Sequence, residues 1–177
     1  MARSLADGRT KFALLTTKPA DPFAPTVTEL EAGIDASCAV LSSDFNIGPA
    51  ASEGIDEKAL CQEGNAQAPG ASNATVEFSP FREFDETGKA LVGGVDGEIG
   101  DAVFQATKNK GTRLWAYIRE TSKKSTDPWA EGDEVNGFEF ITDNPQYLER
   151  TGYVKRKVTG FFQDLFMNGE VATAAGG

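Results

Sequence analysis

A chain of 177 residues is the size of one domain, able to bury roughly 70% of its unfolded surface in a single core. Hydrophobic residues at 40% and charged residues at 25% argue against wholesale disorder. Seventeen basic against 27 acidic side chains give a net charge of −10, and there is no histidine. The first repels a nucleic-acid backbone at long range; the second removes Ser–His–Asp triads, Cys–His dyads and most zinc sites together. Carboxylate-only or lysine-based enzymes survive that exclusion.

The N-terminal MARSLADGRTK has no apolar core of the signal-peptide kind, so folding in the cytosol is expected. No apolar run approaches the ~20 residues of a membrane helix. The first strand is expected over Thr10 to Thr17, with Phe12 and Leu14 on one face. Pro19, Pro22 and Pro25 then break the ladder. Thr28 and Glu31 have capping-box spacing and predict one or two helical turns ending at Gly33. Ile34 to Leu41 reads as a second strand, in which Cys38 is expected to be a small buried hydrophobe. Cys38 and Cys61 are too few for a disulfide framework or a metal site; a reducing compartment favours two free thiols, with a Cys38–Cys61 bridge left open.

From Ser42 to Ser72 the chain turns rich in Ala, Gly, Pro, Ser and Asn, with Ile47, Ile55 and Leu60 as isolated anchors. So long a segment is expected to be functional, to be disordered on its own, or to carry a short strand near Glu53 to Leu60. Its composition suits a segment that orders against a neighbouring subunit. Asn73 to Phe84 alternates, with Val76 and Phe78 on one face, until Pro80 interrupts it. DGEIGDAVFQATKNKG reads as the one convincing helix, with Ile99, Ala102, Val103 and Ala106 on one face.

Thr112 to Thr121 is a strong strand with Leu114, Ala116 and Ile118 opposite Trp115, Tyr117 and Arg119. The loop TSKKSTDPWAEGD follows, holding the basic pair Lys123–Lys124, too small for a nucleic-acid patch. Glu134 to Thr142 returns as its hairpin neighbour, and Tyr153 to Phe162 is a last strand. The small residues of 171–177 are expected to be mobile. Together these predict a single domain over 1–177, mainly β with one flanking α-helix, as a β-sandwich or half-open barrel.

Candidate chemistry is sparse. Gly93, Gly94, Gly97 and Gly100 precede a helix, but Asp96, Glu98 and Asp101 among them would repel a phosphate, and no GKS or GKT follows. The carboxylate neighbours Asp56–Glu57, Asp85–Glu86 and Asp133–Glu134 point to opposite faces on a strand or sit solvated in turns, unlike a glycosidase pair. No acidic cluster has calcium-loop spacing. Trp115, Tyr117 and Trp129 leave a carbohydrate-binding module as a reading. Catalytic, cofactor and metal residues are therefore expected to be absent.

The order of LADGRTKFALL, PTVTELEAGIDASCAV, SEGIDEKALCQEGNAQAPGASNATVEFSPFREFD, AVFQATKNKGTRLWAYIR and WAEGDEV resembles the tail tube (major tail) proteins of long-tailed phages that infect actinobacteria. The resemblance covers most of the chain and thins after Phe140. It implies a β-sandwich or barrel flanked by one helix, assembled in the host cytoplasm as hexameric rings stacked into a hollow tube. It further implies a tape measure protein inside, tail terminator and distal tail or baseplate proteins at the ends, and passage of phage DNA. It makes residues 42–72 an inter-subunit arm. Phe45, Ile47, Ile55 and Leu60 would then lie at subunit or ring interfaces with Lys123, Lys124 and Trp129, and Glu77, Asp133 and Glu139 would be acidic positions facing the lumen. A single-ring tail terminator or a head–tail joining protein is the competing expectation.

Overall fold

The computed structural model describes residues 6–56, 60–61, 63–64, 67–93 and 99–173. β1 (Thr10–Leu15) leads through the proline-rich connection to α1 (Val27–Glu31) and β2 (Ile34–Asp35). β3 (Asn46–Ala50), β4 (Gly54–Ile55), β5 (Ala68–Pro69) and β6 (Asn73–Phe78) follow. α2 (Ala102–Thr107) separates these from β7 (Arg113–Glu120), β8 (Glu134–Thr142), β9 (Gln146–Tyr147) and β10 (Arg156–Glu170). The main sheet has the order β2-β1-β7-β8-β10-β6-β3, with β9 also on β10, and every pairing in it is antiparallel.

β1 and β7 are apolar at odd and even positions alike because both faces of the sheet are covered. Phe12, Leu14, Leu114, Ala116, Ile118, Phe138 and Phe140 build one cluster with Val76, Phe78 and Val158. Ala13, Leu15, Trp115, Tyr117, Val135 and Phe166 build a second on the reverse side. The sheet curls around the first cluster. Leu41 N donates to Ser79 O at 2.9 Å and Phe81 N to Ala39 O at 2.9 Å, joining the chain after β2 to the chain after β6. α2 contributes Val103 to the enclosed cluster, whereas Leu30 of α1 packs into the second. The mainly β expectation holds, with a short helix on each face rather than one flanking helix.

Tyr117 lies opposite Gly137, and its ring fills the place where a side chain at Gly137 would stand: an added Cβ would meet Tyr117 Cε1 at 2.7 Å. Its hydroxyl donates to Pro22 O at 2.9 Å, fastening the proline-rich connection to the sheet. β10 is long and bent by irregularities between Phe162 and Asp164 and between Phe166 and Gly169. Asn168, at φ 55, takes the left-handed conformation at the second of these, a common role for asparagine.

Four local expectations change. The capping box of α1 uses Thr26 and Glu29, not Thr28 and Glu31: Glu29 N donates to Thr26 Oγ1 at 3.2 Å and Thr26 N to Glu29 Oε2 at 2.8 Å. The strand expected over Ile34 to Leu41 stops at Asp35, because Asp35 Oδ1 accepts from Ser37 N and turns the chain. Cys38 sits in that turn, so it is exposed rather than buried, and both thiols are free. The helix expected across DGEIGDAVFQATKNKG is described over Ala102–Thr107, and residues 94–98 lie outside the described residues.

Candidate assembly interface

The excursion is a β-ribbon. Asn46 pairs with Glu77 and Ala50 with Asn73, and the same register continues through Gly54 with Pro69 and Ile55 with Ala68. Gly70 N donates to Glu53 O at 2.8 Å between the two ladders. Gly70 is required there, since a Cβ on it would meet Glu53 O at 2.7 Å. Residues 51–56 are exposed throughout, so beyond the β3–β6 base the ribbon leaves the body of the subunit.

A second feature adjoins its base. β10 pairs with β6 only at Val158 and Thr159, while on its other side β8 follows it to Glu170. Among the described residues, β10 has no strand partner along its outer edge from Phe161 to Asn168. Phe161 is exposed there. An open edge of this length is a template for another strand.

The interface residues expected from the sequence divide into three groups. Ile55 and Leu60 are exposed on the ribbon. Phe45 and Ile47 instead pack against the enclosed cluster, with the Phe45 ring 5.2 Å from that of Phe12; they anchor the ribbon's base rather than reach outward. Lys123, Lys124 and Trp129 belong to a loop drawn inward by cations. The fully buried Arg119 donates through Nη1 to Pro128 O at 2.8 Å and to Asp133 Oδ2 at 2.9 Å, and through Nη2 to Lys124 O at 2.8 Å. Lys11 Nζ donates to Ser125 O at 3.1 Å, and Lys123 pairs with Asp133. Trp129 is buried beneath them, its ring 5.4 Å from the Arg119 guanidinium carbon.

The acids expected to face the lumen lie in different surroundings within the subunit. Asp133, 4% exposed, is held between Arg119 and Lys123. Glu139, 6% exposed, pairs with Arg113 and accepts from Trp115 Nε1 at 3.1 Å. Their charges are spent inside the subunit. Glu77 is half-buried and ion-paired with Lys157 at 3.0 Å. Burial pushes the Asp133 carboxyl up, but Lys123, the Ala130 N–H and Arg119 outweigh it and hold its pKa below the ordinary aspartate value.

Trp115 and Trp129 are both buried, so they form no sugar platform on this surface. Among the described residues no cluster of His, Cys, Asp or Glu is placed to hold a metal, and no helix is long and apolar enough to cross a membrane.

A family model described as phage tail tube protein matches residues 1–175. The chain belongs to the phage tail tube protein family. No curated protein matches it. Membership makes this tail tube protein a structural component of the virion's tail. The sequence marks residues 42–72 as a long excursion with Ile55 and Leu60 among its isolated apolar residues, but not its pairing as a ribbon. It missed the open β10 edge and a basic, aromatic tip between β9 and β10, where Tyr147 and Tyr153 are 71% and 82% exposed. The signal for the tip was present in YLERTGYVKRK, whose four basic residues stand against one acid.

Proposed function

We propose that the subunit polymerises as hexameric rings stacked into the hollow phage tail tube, formed in the host cytoplasm around a tape measure protein and closed by terminator and distal tail proteins. Genomic DNA then passes through the bore, and the −10 charge per copy keeps it from adhering to the wall. The β-ribbon carries this reading. It extends a regular ladder away from the core and exposes Ile55 and Leu60, which is costly for a free monomer and useful in a polymer. The open edge of β10 supports it as a place where a neighbouring copy completes the sheet.

Electron microscopy of the purified chain tests the reading. Long hollow tubes of uniform diameter are expected. Rings that never stack would favour a terminator or joining role, and a persistent monomer at high concentration would overturn assembly.

A further inference from the structure

The β9–β10 tip is a basic, aromatic surface on a chain of net charge −10. A groove of about 380 Å³ runs along it, lined by Tyr147, Arg150, Tyr153, Val154, Lys155 and Arg156 among others. The Arg156 guanidinium lies 4.0 Å from the centre of the Tyr147 ring and that of Arg150 5.8 Å. The Phe81 ring, 5.8 Å from that of Tyr153, supports the tip from beneath. Among the described residues no carboxylate pairs with Arg150, Lys155 or Arg156. Glu149 also lines the groove but makes no ion pair with these three, so the tip presents cations without a carboxylate partner, backed by Phe81.

The ribbon has the opposite character. Residues 51–67 carry Glu53, Asp56, Glu57 and Glu63 against Lys58, a net −3, and residues 147–157 carry Arg150, Lys155, Arg156 and Lys157 against Glu149, a net +3. With Lys157 paired to Glu77 at 3.0 Å, the tip's basic residues left unpaired among the described residues are Arg150, Lys155 and Arg156. The ribbon also presents Ile55 and Leu60 in the open, and the tip offers Tyr147 and Tyr153 to cover them.

The two lie at opposite ends of one line of chain. β6 leaves the ribbon at Asn73, passes Val158 at Phe78, and continues in register so that Phe81 bridges Lys155 and Arg82 N donates to Val154 O at 2.8 Å. At about 3.3 Å per residue the run from Ala68 to Phe81 spans on the order of 40 Å when extended. A ribbon cannot reach its own tip. The contact must join different copies, head to tail, and a head-to-tail contact propagates into rings or filaments rather than ending at a dimer.

We infer that the ribbon of one copy docks on the β9–β10 tip of another, with Glu53 and Asp56 facing Arg150, Lys155 and Arg156 and with Ile55 and Leu60 against Tyr147 and Tyr153. This rests on the assembly reading above and assigns its receiving surface.

Charge reversal tests it in the full-length chain. One variant carries Glu53→Lys with Asp56→Lys, the other Arg150→Glu with Lys155→Glu, and unfolding curves check that both fold. Each alone should raise the critical concentration for sedimentable polymer at least about tenfold, because like charges then face one another. An equimolar mixture should polymerise again, since each variant's ribbon then matches the other's tip. Normal polymer from the tip variant, or no recovery on mixing, overturns the assignment. If the ribbon variant is blocked while the tip variant assembles, ribbon docking stands and only its receiver is wrong. If the unaltered chain forms no polymer, both this assignment and the assembly reading fall.

Discussion

Arg119 orders the loop between β7 and β8 with a fork of donors that no lysine reproduces. Three backbone carbonyls and one carboxylate accept from its two terminal nitrogens, and the loop closes over it. Removing Asp133 leaves this guanidinium buried without its counter-ion. Asp133→Ala should therefore cost about 3–5 kcal/mol, measured by urea unfolding, whereas Lys123→Ala, which removes a half-exposed partner, should cost about 1 kcal/mol or less. Equal costs for the two would show that Arg119 does not depend on the pair. The pH dependence has a definite sign. The folded pKa of Asp133 is depressed, so its stabilisation is complete above about pH 4 and is lost as the pH falls through the folded value. Asp133→Ala should accordingly flatten the acid limb of the stability curve. None of this was legible in the sequence, because the loop's polarity reads as solvation and Arg119 at strand spacing reads as an outward residue.

β10 shows how an element can be half-visible. Its first half falls within the strand expected over Tyr153 to Phe162, but the irregularities after Phe162 and Phe166 break the period of two that identifies a strand. β8, with no such break, has the bounds its alternation predicts. α1 was foreseen at the right place but with the wrong cap, since two Thr-x-x-Glu pairs overlap there and only the one following Pro25 has an extended N-cap residue. Gly160 marks the point where β10 passes from β6 to β8 alone. A Cβ there would strike the Phe140 ring and stand 2.9 Å from Val76 Cγ1, and both side chains are fully buried. Gly160→Ala should therefore destabilise by about 1–3 kcal/mol through overpacking, while Gly48→Ala, which meets nothing within 4 Å, should cost less. A denaturant titration of the two side by side decides this, and equal midpoints would show that the strand gives way freely at Gly160.

At the scale of the whole molecule two electrostatic effects oppose each other. Copies with net charge −10 repel through their entire volume, over separations of tens of ångströms. The ribbon and the tip attract at contact distance. Salt acts on these differently, because the screening length is about 30 Å at 0.01 M, about 10 Å at 0.1 M and about 3 Å at 1 M. Raising the salt from 0.01 M to about 0.1 M should remove most of the long-range repulsion and leave the contact attraction largely intact. Raising it towards 1 M should weaken the contact as well. The critical concentration for polymer should therefore pass through a minimum near 0.1 M. Light scattering across a salt series reads this directly. For a chain carrying both charge reversals the minimum should persist, since two reversed partners still attract and the two acid-to-base changes on the ribbon are matched by two base-to-acid changes at the tip, leaving the net charge at −10. A critical concentration that only falls with salt would mean that apolar burial through Ile55, Leu60 and the β10 edge dominates, with the charges of ribbon and tip serving alignment rather than affinity.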